Sequence, residues 1–457
     1  MISRREWLGT SLGAGAALAL SPSLLRALEG TDLLQPGKKL LQRAIPSTGE
    51  MVPVISFAPR PTAPPAPGAF KPMPTDVPAA KEVLKAFSDN GGKVVDVLHG
   101  GPIGENAART AAQELGMQDK FFWTTPLSVS IPVLPGWSGP PPKPDPAAVR
   151  AAMEEKFAAL KVSKIDLVMV GTGSHIPTHL AVLREMKKEG KVRYIGVHHL
   201  ALPRNVPQPP FGQLEAIMRN ETIDFIGTDY SVGDRRLEET ILPLALERKI
   251  GVMAYFPFDR ARFFNRAKEM PLPAWAAEFD AKTWAQFSIK YVLSHPAVTM
   301  ARTGTTKAEH MLDNIGGGMG RMPDEAMRKR MAAFVDALPP TPAPVPQQMP
   351  APQQQGQPGQ QAPQGPPPVV LSAAVLDRYV GEYNYVAVGQ TVTVRRDGDR
   401  LFMKIAGSAP EAVLVPRSEQ RFQGPFGLVF EFKPDAQGNA PAAIVEQGPN
   451  RIPLVRK

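Results

Sequence analysis

The chain has 457 residues, enough for two or three domains, and its 43% hydrophobic content permits a large core. Its 51 prolines demand extended stretches, and the absence of cysteine excludes disulfides, a thiolate nucleophile and a cysteine-ligated metal. The net charge of +9 is scattered over helical stretches such as Arg184–Arg193 and Arg328–Arg330, with no basic run interleaved with aromatics, so nucleic acid is not expected as a partner.

At the start of the chain, Ser3-Arg4-Arg5-Glu6-Trp7-Leu8 followed by the mildly apolar run Leu12–Leu20 resembles a twin-arginine export signal. The run is short for a transmembrane helix. Residues 1–30 are therefore expected to direct a folded protein to the periplasm. Membrane contact is expected only through this segment, if it is kept.

Eight short apolar runs follow between residues 39 and 338: Val52–Phe57, Lys93–Val97, Phe121–Thr125, Ile165–Val170, Val192–Val197, Ile223–Thr228, Gly251–Tyr255 and Val298–Arg302. Helical patterns alternate with them: Ala79–Phe87, Ile103–Leu115, Ala147–Leu160, Thr178–Glu189, Phe211–Arg219, Leu237–Glu247, Thr283–Leu293 and Lys307–Ile315. Short strands alternating with longer helices imply parallel βαβ units. Eight units predict an α/β fold, a (β/α)8 TIM barrel, which typically needs about 250 residues. An open doubly wound sheet is the alternative, but it usually has a glycine-rich turn after its first strand. Here Phe57 is followed by Ala-Pro-Arg-Pro-Thr-Ala-Pro-Pro-Ala-Pro. Two proline-rich insertions, Arg60–Pro72 and Pro126–Pro146, follow strands and are expected to cap the barrel mouth.

Residues 339–368 are almost only Pro, Gln, Ala and Gly and read as an extended linker. Residues 369–457 read as a small, mainly antiparallel β domain. A short helix near Leu371–Leu376 is capped by Ser372, and the Asp397-Gly398-Asp399 turn joins strands around Thr391–Arg395 and Leu401–Ile405. Further strands are expected at Ala412–Val415, Leu428–Phe432 and Ala443–Glu446. The stretch Leu371–Phe402, with Tyr379-Val-Gly-Glu-Tyr383, resembles a domain of unknown function appended to exported β-lactamase-like hydrolases.

The stretch Lys93-Val-Val-Asp-Val-Leu-His-Gly-Gly-Pro-Ile-Gly-Glu105 is a buried strand ending in Asp96, a glycine-rich loop and a helix. It resembles the signature of the aldo/keto reductases. The same resemblance runs through Arg43–Glu50, Ile165-Asp-Leu167, Glu189-Gly-Lys-Val-Arg-Tyr-Ile-Gly-Val197, Tyr230-Ser231, Ile241-Leu-Pro-Leu244 and Gly304–Asn314. It implies a nicotinamide-dependent oxidoreductase in which tyrosine gives a proton to a carbonyl, lysine lowers the tyrosine's pKa, aspartate holds the lysine and histidine orients the carbonyl. Asp96 matches the aspartate. Gly101, Pro126 and Gly171 stand at the tyrosine, lysine and histidine.

For the cofactor, the resemblance points to Tyr255 as the ring that stacks on nicotinamide. Gly304, Thr305, Thr306, Lys307 and Asn314 are the phosphate-end residues for NADP(H). A helix N-terminus beside a lysine is a sound anion site, and Arg260, Arg262 and Arg302 add charge. Thr305 and Thr306 equally read as caps of the helix that follows. The leading expectation is an exported barrel that has lost the family's usual carbonyl reduction and binds a nucleotide or ligand, or serves as a scaffold. One alternative is an active NADP-dependent oxidoreductase with His99 or His175 as substitute acid. Another is a hydrolase or isomerase built on His99, His175, His198 and His199. No metal site is expected.

Overall fold

The computed structural model describes residues 34, 37–59, 77–97, 101–134, 139, 141–200, 211–267, 269–339, 369–406, 411–447 and 450–457, without the side chains of 101–106 and 426. The signal segment 1–30, the insertion Arg60–Pro72, His99 and residues 340–368 of the linker lie outside the described residues. The chain divides into two compact units. One comprises Met1–Ser128, Val149–Thr172 and His179–Ala343, the other Val129–Ala148, Gly173–Thr178 and Pro344–Lys457.

The first unit is built on a closed parallel barrel. Its strands are β3 (Ile55–Phe57), β4 (Val94–Asp96), β5 (Phe122–Leu127), β6 (Ile165–Gly171), β7 (Val192–His199), β8 (Phe225–Asp229), β9 (Gly251–Tyr255) and β10 (Val298–Thr303), with β10 pairing back onto β3. Helices lie between successive strands: α1 (Val77–Asp89), α2 (Gly101–Glu114), α3 (Pro146–Leu160), α4 (Ile176–Lys188), α5 (Gly212–Asn220), α6 (Ile241–Glu247), α7 (Arg262–Ala267) and α8 (Trp284–Ser294). After β10 come α9 (Ala308–Gly317) and α10 (Glu325–Ala337). The expected TIM barrel is thus present.

Two elements differ from the sequence reading. The run Val52–Phe57 splits, because β2 (Met51–Pro53) pairs antiparallel with β1 (Gln42–Ala44) whereas β3 joins the barrel. One continuous strand cannot serve both sheets. The hairpin delivers Ile45 and Val52, both fully buried, into the barrel's interior cluster. The helix expected at Leu237–Glu247 is a short 3-10 turn, Arg236–Glu238, and then α6. Pro243 has no N–H to give, which suits it to the first turn of a helix that starts at Ile241.

The Glu189–Val197 motif proves to be a lock. Gly190, at φ 76°, ends α4, with Lys191 N–H donating to Met186 O at 3.0 Å, a Schellman closure. Arg193 then pairs with Asp166 at 2.7 Å and with Glu50 of the hairpin, while the Tyr194 hydroxyl donates to Glu50 at 2.5 Å.

The second unit contains a second closed barrel, antiparallel and strictly sequential. Its strands are β11 (Gly381–Tyr385), β12 (Gln390–Asp397), β13 (Arg400–Ile405), β14 (Ala412–Pro416), β15 (Arg421–Gln423), β16 (Val429–Lys433), β17 (Ala442–Gln447) and β18 (Asn450–Arg456). β18 closes onto β11 through Tyr383↔Arg456 and Asn384↔Val455. The β12–β13 hairpin turns on Gly398, whose φ of 60° suits a two-residue loop. Stacked Tyr379 and Phe432, with ring centres 4.5 Å apart, fill the interior with Tyr383, Phe422 and Phe430. Strands β11, β15 and β18 were not read from sequence. β15 has only three residues, and β18 carries Pro453, a residue that argues against a strand. Helix α11 (Ala373–Asp377) has Ser372 at its N-cap, but the hydroxyl makes no capping bond. The insertion Pro126–Pro146 makes its apolar contact within this second unit, through Leu134 and Ile131 in the small barrel's core.

Candidate functional site

Alternation along each strand decides what points into the parallel barrel. Its interior cluster includes Val94, Leu167, Met169, Tyr194, Phe225, Met253, Tyr255 and Met300. Continuing on the same faces come Asp96, Gly171, His198, Gly227 and Arg302. Asp96 is fully buried, and its Oδ2 accepts from Nε of Arg302, itself only 3% exposed. The resemblance implies a lysine partner for this aspartate, whereas here an arginine from the last strand pairs with it. The alternation from Met300 was the available signal for it, yet the sequence reading gave Arg302 only a general electrostatic role.

Two of the glycines are explained by what stands beside them. A Cβ on Gly227 would lie 2.1 Å from the Tyr255 hydroxyl, and a Cβ on Gly171 would lie 3.0 Å from Nε2 of His198. Register pairs Gly171 with His198 and His198 with Gly227. Side chains from β7 and β9 therefore occupy the volume that residues on β6 and β8 would otherwise fill. Tyr255 is fully buried. Burial first, and then the neighbouring Asp96 carboxylate, push its phenol well above its ordinary pKa. Burial, the Arg302 charge and His199 hold His198 down to about 4. The ring expected to stack on nicotinamide is thus a piece of the barrel core, and Arg302 lies over it at 5.2 Å.

The open space lies beside this core. A cleft of about 730 Å³ is lined by Phe256, Arg260, Trp284, Arg302, Thr305 and Asn314, among others. Phe256, next in sequence to Tyr255, lines it together with the aromatics Phe258, Phe264 and Trp284. The loop beyond β9 holds four non-glycine residues in the left-handed region: Phe256 (φ 50°), Asp259 (φ 50°), Arg260 (φ 53°) and Ala261 (φ 70°). Such backbone persists only where the surroundings enforce it, and it clusters at ligand sites. Here the enforcement comes from Ser288 Oγ donating to Pro257 O at 2.6 Å, Arg262 on Asp259 at 2.6 Å, and Arg260 on Asp229 at 2.7 Å. Arg260 also stacks on Phe256 at 3.9 Å.

Of the expected phosphate-end residues, Gly304, Thr305 and Asn314 line the cleft. Thr306 and Lys307 do not. The Lys307 side chain is 64% exposed, with Nζ 3.8 Å from Glu309. Thr305 does not cap the helix either. Its Oγ1 accepts from Lys307 N–H at 3.0 Å, while Lys307 is the N-cap of α9 and offers no side-chain capping bond. Asp313 also lines the cleft; burial raises its pKa, and Thr283 and Gln286 donate to it at 2.8 and 3.0 Å.

His198 faces the barrel interior, and His199, the next residue on the strand, pairs with Thr172 at 3.2 Å and packs on Phe211. His175 belongs to the second unit, where its Nδ1 meets Thr178 Oγ1 at 3.0 Å at the start of α4. His99 lies outside the described residues, and Gly101 opens helix α2. Pro126 is a residue of β5, paired in register with Met169. Among the described residues, no three His, Asp or Glu side chains form a group suited to a metal ion.

The sequence model of the aldo/keto reductase family matches residues 70–332 of this chain. Over 209 residues the chain is 26% identical to the uncharacterized oxidoreductase YqkF of Bacillus subtilis, covering 41% of this chain and 64% of that protein. Over 213 residues it is 26% identical to probable aldo-keto reductase 1 of Glycine max, covering 40% and 59%. The chain thus spans about three fifths of the length of these curated relatives. The structure of glycerol dehydrogenase AKR11B4 from Gluconobacter oxydans superposes with a TM-score of 0.50 at 18% identity, covering 66% of this chain and 97% of that one, a likeness of fold.

Proposed function

The chain belongs to the aldo/keto reductase family, and from that premise we propose that it is an exported NADP(H)-binding member that does not carry out the family's usual carbonyl reduction. One observation carries the reading: the cleft is open while the adjoining interior is filled. The residues present fit the nucleotide at its phosphate end. The first N–H groups of α9 have no capping side chain at Lys307, and Gly304, Thr305 and Asn314 stand beside Arg260 in the cleft. An uncapped helix N-terminus with nearby cations suits phosphate. When bound, NADPH supplies a hydride.

The other half of the reaction lacks its parts. Gly101, Pro126 and Gly171 carry no acid, and the nearby phenol, Tyr255, is sealed in the core with a pKa pushed up rather than tuned toward neutrality. Asp96 is committed to Arg302. These facts support binding without the tyrosine-driven proton transfer.

The test is a titration of the full-length protein with NADPH, followed by calorimetry and by the nucleotide's fluorescence, beside steady-state NADPH oxidation with simple aldehydes and ketones. Saturable binding with no turnover is expected, and Asn314→Ala should weaken binding roughly tenfold, about 1.4 kcal/mol. No binding would remove the nucleotide reading. Sustained turnover by the wild-type protein would remove the claim of lost reduction.

A further inference from the structure

In the insert between β5 and α3, Leu134 is 1% exposed among the core residues of the small antiparallel barrel. Ile131 packs against the same core, three residues earlier. The main chain of Leu134 is held as well. Its N–H donates to Oε1 of Gln390 at 2.9 Å, and its carbonyl accepts from Nε2 of the same side chain at 3.1 Å. Both backbone polar groups of one residue are thus satisfied by one amide, as a neighbouring strand would do it. Gln390, 5% exposed, is the one buried polar side chain in the β11–β18 barrel among the described residues. Its amide fits a main chain, which every peptide has, while the Leu134 site fits an apolar side chain.

The segment is shaped for this use. In Ile131-Pro132-Val133-Leu134, Pro132 fixes its own φ and biases Ile131 to extended backbone, and the proline that follows Leu134 in sequence biases Leu134 the same way. Little freedom is lost when such a segment docks, which leaves more of the contact energy for binding.

We propose that the C-terminal barrel is a receptor for a short, extended apolar peptide of the form Ile-Pro-x-Leu, and that its occupant in this protein is the chain's own Ile131–Leu134. Gln390 reads the backbone and the barrel core takes the leucine. The proposal rests on contacts inside the second unit and does not depend on the nucleotide reading.

The test uses the full-length protein and a fluorescein-labelled peptide with the sequence of residues 129–136, Val-Ser-Ile-Pro-Val-Leu-Pro-Gly. Leu134→Asp should release the segment and vacate the site. The labelled peptide is then expected to bind Leu134→Asp at least tenfold more tightly than it binds the wild type, whose site is filled. Adding Gln390→Ala to Leu134→Asp should cut that binding at least tenfold. Equal peptide binding by wild type and variant, or no binding by either, overturns the proposal, as does Gln390→Ala leaving the affinity unchanged. Should Leu134→Asp fail to fold, Leu134→Ala is put through the same competition and judged by the same outcomes.

Discussion

A charge sealed inside a protein is tolerable only with its partner. Asp96 and Arg302 are both almost fully buried, so removing either leaves the other uncompensated. Asp96→Leu is expected to cost about 3–5 kcal/mol, whereas the double replacement Asp96→Leu with Arg302→Met should cost far less. Urea unfolding of the wild type, Asp96→Leu, Arg302→Met and the double variant measures this. A non-additive result of that sign marks the pair as architecture, and equal losses in single and double variants would contradict it. His198 makes a second case. Its folded pKa of about 4 lies below the ordinary 6.5, so the folded protein holds the imidazole neutral. Between pH 6.5 and 4 the unfolded chain takes up a proton that the folded chain refuses. Stability therefore falls as pH drops through that window and is flat above it, with His198 contributing roughly 3 kcal/mol at most. His295, also near 4, acts in the same direction. His198→Gln should flatten part of the fall when denaturation is repeated at pH 7, 5.5 and 4. The volumes beside these groups are equally committed. Gly171→His meets the His198 ring directly, so it should destabilise alone and be tolerated with His198→Ser.

At the level of elements, strain gathers in the loop after β9. Ala261 sits at φ 70°, where a Cβ is unfavourable by about 1–2 kcal/mol and glycine is at ease. Ala261→Gly is expected to raise the melting temperature while weakening NADPH binding, because a looser loop must be ordered again by the ligand. A lower melting temperature would show that the neighbours do not enforce the conformation. The elements also show what the sequence could and could not reveal. The strands of the parallel barrel were legible because each is a short apolar run between punctuated helices. The hairpin split at Val54 was not, since apolar character continues unbroken while the pairing partner changes. In the site, the family resemblance alone points to Asp96 and to the three substituted positions. The partner of Asp96 is 206 residues away, and Tyr255 reaches Gly227 across a register that only the folded barrel defines. Motif spacing is local, while the packing that decides the role of Tyr255 is not.

For the molecule as a whole, export is the expectation that bears on how it is made. The twin-arginine pathway carries folded proteins, and a chain exported by it would have two closed sheets to complete first. Changing Arg4 and Arg5 to Lys should retain the full-length protein in the cytoplasm, scored by cell fractionation; unchanged export would overturn the signal reading. The insert described above gives that requirement a time scale. Gln390 follows Leu134 by 256 residues. At a synthesis rate of about 5–20 residues per second, the apolar segment Ile131–Leu134 leaves the ribosome roughly 10–50 s before its binding partner exists. Strand β18, which closes the small barrel at Arg456, is later still. Through that interval the nascent chain carries a bare hydrophobic segment, a natural target for chaperones and for premature cleavage. Its burial in the complete small barrel therefore waits until translation has reached the final strand.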